Sequence, residues 1–226
     1  MLLQDKLDAF KANFEAGGPP YHAPAAVHEP MRRATAELVA SGLAANALGV
    51  GDLAPSFELP DAEGRSISSA ELLAKGPLVL TFYRGFWCPY CNMDLETLQE
   101  ALPSIEERGA TLVALSPQTA ANSRRAIREK GLTFDILSDG GNEVAASFGL
   151  RFRLPDYLIE LYRDGFNNDL TITNGEPSWT LPIPARFVID TTGVIAYSEA
   201  NPDYTKRPDP SEMLPILDRL KQSAAA

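Results

Sequence analysis

The chain has 226 residues, 45% of them hydrophobic, which is enough apolar material to bury a full α/β core. Its net charge of -10 argues against a nucleic-acid or anionic-membrane partner, because binding to phosphates needs clustered lysine and arginine. Charged residues interrupt the apolar ones at the start of the chain, which therefore resembles neither a signal peptide nor a membrane span, and we expect a cytoplasmic protein.

The first part of the chain carries apolar stripes at helical spacing, interrupted by glycine and proline at residues 17–24. The first stripe consists of Leu3, Leu7, Phe10 and Phe14. Such stripes pack on their own domain or on a second subunit, and the second case predicts a homodimer. We interpret residues 1–48 as an N-terminal helical extension without chemistry of its own.

From residue 49 onward, short apolar runs alternate with helical patterns. Strands are predicted near residues 77–83, 111–115 and 134–137, and helices near 92–102 and 120–130. A hairpin over residues 186–197 and a helix over 211–221 complete the chain. This order predicts an α/β domain over residues 49–226 with a largely parallel central sheet.

Residues 151–181 interrupt this alternation and are rich in turn residues, apart from a short helix predicted at 154–162. An insertion of this size near the end of an α/β domain is either a binding loop or lid, or a cover for one edge of the sheet. Both interpretations remain open from the sequence.

The only two cysteines, Cys88 and Cys91, lie between a predicted strand and a predicted helix. A cysteine at a helix N-terminus faces unpaired backbone N–H groups, which favour its thiolate. The second cysteine, about one turn further on, is close enough to form a disulfide with the first. In a reducing compartment such a pair is catalytic more often than structural. We therefore assign Cys88 as the nucleophile and Cys91 as the residue that resolves its oxidised form.

Other kinds of catalytic site find little support in the sequence. Both histidines, His22 and His28, lie in the extension, which disfavours a Cys–His hydrolase. A zinc site would need two more ligands beside the cysteine pair, and the chain has no second pair. We expect no metal and no cofactor.

The residues around the cysteines have supporting roles in this prediction. Trp87 and Tyr90 provide a flat apolar platform for a substrate, and Pro89 suits the first helical position. Arg84 either lowers the pKa of the thiol by its charge or is a solvated arginine. Asp94, further along the helix, acts against the thiolate.

Three segments resemble one known family. Residues 82–91 (FYRGFWCPYC) are similar to the active-site segment of the peroxiredoxin-like alkyl hydroperoxide reductase and thiol-specific antioxidant (AhpC/TSA) family. Residues 51–59 (GDLAPSFEL) resemble the opening of that domain, and residues 184–193 (PARFVIDTTG) its penultimate strand and hairpin. The resemblance covers about residues 49–221 and implies a thioredoxin-like fold, with a central mixed β-sheet flanked by helices.

The resemblance also implies roles for residues far from the cysteines. Pro184 matches the cis-proline of thioredoxin-like folds, with Ile183 offering backbone hydrogen bonds to a substrate; a trans proline that ends the loop is the alternative. The chain departs from the peroxiredoxin pattern at two positions. Gly85 stands where the family has threonine or serine, and Pro184 stands where it has an arginine, with Arg186 two residues further on.

Three functions remain after these departures. The first, and the one we place first, is a peroxiredoxin-like antioxidant enzyme: Cys88 reduces a hydroperoxide, and the disulfide formed with Cys91 is recycled by thioredoxin or glutathione. The second is a thioredoxin- or glutaredoxin-like enzyme that exchanges with disulfide substrates, since Cys-Pro-Tyr-Cys is the glutaredoxin-type motif. The third is a redox-sensing interaction module.

Overall fold

The computed structural model describes residues 1–224, and its helices lie mostly where the sequence predicts them. The α-helices are α1 Leu3–Glu15, α2 His28–Ala40, α3 Ser69–Leu73, α4 Pro89–Glu106, α5 Ala120–Lys130, α6 Glu143–Ser147, α7 Asp156–Glu160, α8 Leu170–Asn174 and α9 Leu214–Ala224. Short 3-10 turns span Ala25–Val27, Leu43–Asn46, Gly140–Asn142 and Pro210–Glu212, and a π-helical turn spans Leu161–Gly165. Within the described residues, no helix is long and apolar enough to cross a membrane.

The strands form one central sheet and two small ones. They are β1 Glu58–Pro60, β2 Ser66–Ser68, β3 Leu78–Phe82, β4 Thr111–Ser116, β5 Asp135–Ser138, β6 Arg151–Arg153, β7 Thr180–Pro182, β8 Ala185–Ile189 and β9 Ile195–Ala200. The central sheet has the order β5-β4-β3-β8-β9. β3, β4 and β5 are parallel, whereas β8 runs antiparallel to both β3 and β9. The α/β fold with a mixed sheet flanked by helices, which the family resemblance implies, is confirmed. The largely parallel sheet predicted from the order of elements is wrong, because the hairpin of β8 and β9 adds two antiparallel pairings to the two parallel ones.

The central strand β3 is buried on both faces and divides the core into two layers. Val79 points into the layer that holds the cysteines, while Leu78 and Leu80 point into the opposite layer, because successive strand residues alternate between faces. This alternation explains why β3 reads as a continuous apolar run. It also places the end of β3 directly before the cysteine segment.

The N-terminal extension packs on the layer that holds the cysteines. Leu3 and Leu7 of α1 are fully buried in it, together with Leu95 and Leu98 of α4. The extension therefore uses its apolar stripe against the same chain. The boundary between an extension at 1–48 and a domain at 49–226 stays a prediction, since both parts contribute to one core.

Residues 151–181 are more ordered than their composition suggests. β6 and β7 pair antiparallel at the two ends of the segment, and the helices between them surround a small core of their own that includes Leu158, Leu170 and Trp179. The helix predicted at 154–162 is found as α7, and it continues as a π-helical turn. The segment is thus a compact, ordered part of the fold.

A glycine at the contact between extension and domain gives a test of this packing. Gly149 has a φ of +76°, and a Cβ there would lie 2.1 Å from the backbone oxygen of Asn46. We expect Gly149→Ala to lower the free energy of unfolding by about 3 kcal/mol, since the left-handed backbone costs about 1–2 kcal/mol and the overlap adds a similar amount. Urea denaturation measures this loss.

The matched control is Gly193→Ala, at a glycine with a φ of +87° and no atom within 4 Å of the added Cβ. It carries the cost of the backbone conformation without the overlap, about 1–2 kcal/mol. Equal losses for the two variants would show that Asn46 does not lie against Gly149.

Candidate active site

The two cysteines lie at the junction between β3 and α4, as the sequence predicts. Cys88 is the N-cap of α4, Pro89 is its first residue, and Cys91 lies in the first turn. Both are free thiols, with exposed fractions of 2% for Cys88 and 0% for Cys91. Asn92 donates from its side chain to the carbonyl of Phe86 at 2.8 Å and so ties the preceding loop to the helix.

The environments of the two sulfurs separate their acidities. Burial raises the pKa of Cys88, but hydrogen bonding to Cys91 and the charges of Arg84 and Arg207 outweigh it and lower that pKa to about 6. The pKa of Cys91 is raised well above its ordinary value, first by burial and then by the neighbouring Cys88. At neutral pH the pair therefore holds one thiolate, on Cys88, and one thiol, on Cys91.

Arg84 is a buried cation surrounded by aromatic rings. Its guanidinium carbon lies 4.3 Å from the ring centre of Tyr204 and 4.9 Å from that of Trp87. Its Nη2 donates to the hydroxyl of Tyr162 at 2.5 Å. The arginine is 2% exposed, so the solvated interpretation is wrong for Arg84. Its charge acts on Cys88 with little screening by water.

A second buried charge cluster lies behind Cys91. Arg207 donates from Nη2 to the sulfur of Cys91 at 3.4 Å, and its Nε lies 3.4 Å from Asp94 Oδ2. The other carboxylate oxygen, Oδ1 of Asp94, accepts from Arg186 at 2.5 Å. Asp94 therefore pairs with two arginines, and the groups that lower the pKa of Cys88 most strongly are Cys91, Arg84 and Arg207. An opposing effect of Asp94 on the thiolate stays a prediction.

Cys88 borders a cavity of about 380 Å³ whose wall is largely aromatic. The extension and the insertion both contribute to this wall. Its aromatic members are Phe10, Phe14, Tyr21, Phe86, Trp87, Tyr90, Tyr162, Phe166 and Tyr204. The extension, which we interpreted as lacking chemistry, thus forms one side of the site, and the insertion has the position of a binding segment.

Trp87 and Tyr90 both border this cavity, in the position that a substrate platform requires. Tyr90 packs edge-to-face against Phe10, with ring centres 5.1 Å apart, and Trp87 packs in the same way against Tyr162 at 5.4 Å. Both rings are fixed by their neighbours. Their contact with a substrate stays a prediction.

The prediction of a cis-proline at position 184 is wrong, since among the described residues the cis peptide bond recorded is the one between Pro19 and Pro20. Pro184 lies between β7 and β8 and is trans, so the alternative interpretation holds for its peptide bond. The amide of Ile183 donates to the carbonyl of Leu150 at 2.8 Å and is not free for a substrate. Pro184 instead borders a second cavity, of about 260 Å³, beside Arg84.

Arg186 does not replace the arginine that the family has at the position of Pro184. It is 2% exposed, and besides Asp94 it donates to the carbonyl of Pro208 at 3.0 Å. It does not border the cavity beside Cys88. The cation closest to that role is Arg84, which borders the cavity and acts on the thiolate.

The structure explains why glycine occupies position 85. Gly85 has a φ of +148°, and a Cβ built there would lie 2.5 Å from Nε1 of Trp87. A threonine or serine side chain would collide with the indole ring. The tryptophan therefore occupies the space beside Cys88 in which a hydroxyl side chain would begin.

Sequence reasoning missed three groups of residues at this site: Arg207 behind Cys91, Tyr162 and Tyr204 around Arg84, and the aromatic wall of the extension. Arg207 lies 116 positions after Cys91, and Tyr162 lies 78 after Arg84. The aromatic residues within 10–21 are the sequence signal that could have revealed the aromatic wall of the extension. Within residues 1–224, no group of three or more His, Cys, Asp or Glu side chains could hold a metal ion.

Comparison with known proteins gives one family match and several relatives. Residues 50–198 match the family model of the AhpC/TSA family. Thiol-disulfide oxidoreductase ResA of Bacillus thuringiensis is 29% identical over 117 residues, which cover 51% of this chain and 65% of that protein. The chloroplastic peroxiredoxin Q of Triticum aestivum is 26% identical over 191 residues, covering 84% of this chain and 75% of the relative.

Solved structures share the fold. Peroxidoxin BcpB from Mycobacterium tuberculosis aligns with a TM-score of 0.60 at 23% identity, over 76% of this chain and 97% of that one. Peroxiredoxin Q from Xanthomonas campestris aligns with a TM-score of 0.56 at 16% identity, over 79% and 99% of the two chains. At these identities the likeness is one of fold.

The divergent acidities of the two cysteines give a direct prediction. Alkylation of Cys88 by iodoacetamide should rise with pH through a midpoint near 6 and then level off, because only the thiolate reacts. Cys91→Ala removes the strongest interaction that favours the thiolate and should raise the midpoint by about one unit. Mass spectrometry of the alkylated peptide gives the rates.

The matched control is the Cys88→Ser variant, which reports on Cys91 alone. It should resist alkylation until well above the ordinary thiol pKa of about 8.5. A Cys88 midpoint at that ordinary value in the unmodified protein would refute the electrostatic description of the site.

Proposed function

Because this chain belongs to the AhpC/TSA family, we propose that it is a thiol-dependent, peroxiredoxin-like oxidoreductase in which Cys88 reduces an organic hydroperoxide and Cys91 resolves the product. One observation carries the proposal. A buried cysteine with a pKa of about 6 borders an aromatic cavity, and its partner cysteine, still protonated, lies one helical turn away.

The proposed reaction has two oxidative steps. The Cys88 thiolate attacks the terminal oxygen of R–O–O–H, the O–O bond breaks, and Cys88 becomes a sulfenic acid while the alkoxide takes a proton from solvent. Cys91 then attacks the sulfur of Cys88, and the sulfenic hydroxyl leaves as water with the Cys91 proton. Two external thiols reduce the resulting disulfide and become a disulfide themselves.

Burial of the pair favours a small substrate. The sulfur of Cys88 lies at a cavity wall and is 2% exposed, so a folded protein that carries a disulfide cannot approach it without movement of the surrounding segments. A cavity of about 380 Å³ accommodates a small organic molecule. The same reasoning favours a small thiol such as glutathione over thioredoxin as the reductant.

Similarity to the ResA proteins supports the second candidate, exchange between the cysteine pair and a disulfide substrate. Both candidates use the same two residues and differ in the oxidised partner. This chain matches 65% of the length of those proteins, so their activity is a proposal here. The redox-sensing module and the homodimer stay predictions.

Kinetics of the reduced protein separate the candidates. At neutral pH a thiol with a pKa near 6 holds about 30 times more thiolate than free cysteine, while its lower basicity makes that thiolate about tenfold less nucleophilic. Ionisation alone should therefore make the protein consume cumene hydroperoxide about threefold faster than free cysteine does, and contact of the substrate with the cavity wall should add to this. Cys88→Ser should abolish the reaction. Cys91→Ser should complete one turnover and stop at the sulfenic acid, which dimedone labels.

A rate equal to that of free cysteine, together with rapid reduction of a small disulfide such as oxidised glutathione, would replace the first candidate with the second. Loss of both activities in wild-type protein would leave the sensing module.

The aromatic wall predicts selectivity among hydroperoxides. Phe14→Ala removes part of the wall, and we expect kcat/KM for cumene hydroperoxide to fall by about 5- to 30-fold, corresponding to about 1–2 kcal/mol of lost contact. Hydrogen peroxide has no apolar group to contact the wall, so its rate should change less than twofold. Steady-state assays with both substrates measure this.

Ile172→Ala is the control, because Ile172 is 76% exposed and does not border the cavity. It should leave both rates unchanged. A parallel loss with both hydroperoxides in Phe14→Ala would indicate damage to Cys88 and would contradict the assignment of the wall.

A further inference from the structure

Arg207 is a buried arginine that lies beyond the segment matched by the family model. Its side chain is 3% exposed, and its Nη2 donates to the sulfur of Cys91 at 3.4 Å. Cys91 is the fully buried member of the pair, and it does not border the cavity. The sulfur of the resolving cysteine therefore faces a cation on its inner side.

The guanidinium of Arg207 is fixed by the backbone around it. Its Nη1 donates to the carbonyls of Lys206 at 2.6 Å and Tyr204 at 2.8 Å, while Nε lies 3.4 Å from Asp94. The backbone of residue 207 is also held by α1, because its amide donates to the side chain of Gln4 at 3.0 Å. These backbone bonds from Nη1 and the ion pair with Asp94 hold Nη2 at the sulfur.

The charges around Arg207 leave positive charge beside Cys91. Asp94 is the carboxylate between Arg186 and Arg207, so one negative charge faces two buried guanidinium groups. Half-buried Glu199 also faces these arginines, and burial raises its pKa. Arg84 adds a further positive charge from the side of Cys88.

We propose that Arg207 is a positioning residue for the resolving step, holding the sulfur of Cys91 and stabilising its thiolate both when it attacks Cys88 and when it leaves. The inference rests on the proposed function for its role in turnover. Its physical content, stabilisation of one thiolate by one guanidinium, is independent of the substrate.

The first step in which this matters is disulfide formation. Cys91 loses its proton as its sulfur forms a bond to the sulfur of Cys88, and the hydroxyl of the sulfenic acid leaves with that proton as water. Negative charge develops on Cys91 at the start of this attack. A donor 3.4 Å away stabilises that charge in a site with little water.

The second step is reduction by a small thiol. Its thiolate attacks Cys88, the sulfur that borders the cavity, and the bond between the two cysteines breaks with its electron pair on Cys91. A second thiol then attacks the small-molecule sulfur of the mixed disulfide, which frees the Cys88 thiolate and yields the disulfide of the small thiol. Stabilising the Cys91 thiolate makes it a better leaving group in the first of these attacks.

The direct test uses Cys88→Ser protein, in which the remaining thiolate is that of Cys91. We expect Arg207→Met to raise the pKa of Cys91 by about one unit. The absorbance of the thiolate, measured as a function of pH, gives this pKa. Arg207→Lys keeps the charge but loses the planar guanidinium. The pKa of Cys91 in this variant should therefore lie between those in the Cys88→Ser parent and in Arg207→Met, about half a unit above the parent.

The matched control is Lys206→Met, which removes an adjacent positive charge that is exposed and pairs with Asp8. It should leave the pKa of Cys91 unchanged. A shift as large as that of Arg207→Met would assign the effect to the loop and overturn the proposal. If Arg207→Met does not fold, Arg207→Lys decides, and an unchanged pKa of Cys91 in that variant refutes the role.

The protein with both cysteines gives the kinetic readout. In Arg207→Met, reduction of the disulfide by dithiothreitol should slow about tenfold, because the Cys91 thiolate becomes a poorer leaving group. Hydroperoxide consumption in the first turnover should fall much less than disulfide reduction. An unchanged reduction rate would overturn the proposal, whereas failure of peroxide turnover in wild-type protein would overturn the proposed function alone.

Discussion

The rest of the site depends on a conflict between burial and ionisation at Cys88. The cysteine is nearly inaccessible, and burial disfavours its thiolate, yet its pKa is lowered to about 6. The N-terminal position in α4 supplies only part of the compensation. The hydrogen bond to Cys91 and two buried arginines supply the remainder. The fold must therefore bury two cations, Arg84 and Arg207, at a cost in desolvation that their own partners have to offset.

The two arginines meet that cost in different ways, and this difference separates the two sulfurs. Arg84 contacts aromatic rings and a tyrosine hydroxyl, which hold a guanidinium without cancelling its charge, so the full charge acts on Cys88. Arg207 shares the carboxylate of Asp94 with Arg186, so part of its charge is offset beside Cys91. The sulfur of Cys88, the more exposed of the two, therefore experiences the stronger positive potential. The pair thus consists of a thiolate at Cys88 and a protonated thiol at Cys91.

The sequence predicts those parts of this arrangement that depend on neighbours along the chain. The apolar run of β3, the helical spacing of α4 and the position of Cys88 at the helix start are local patterns with a physical cause. Contacts such as that between Cys91 and Arg207, 116 positions apart, leave no periodic signal. The error at Pro184 has the same origin, because whether a prolyl bond is cis depends on tertiary contacts that an isolated motif does not record.

Segments outside the family match complete the site, and this limits what family membership alone implies about substrate. α1 places Phe10 and Phe14 at the cavity, and through Gln4 it also holds the loop that carries Arg207. The helix α1 therefore contacts both the loop and the cavity wall. A thioredoxin-like core with a cysteine pair can serve peroxide or disulfide chemistry, whereas part of the aromatic wall and the cation behind Cys91 come from segments outside the family match. If the wall selects the substrate and Arg207 assists the resolving step as proposed, α1 couples substrate selectivity to the resolving rate, because it contacts both.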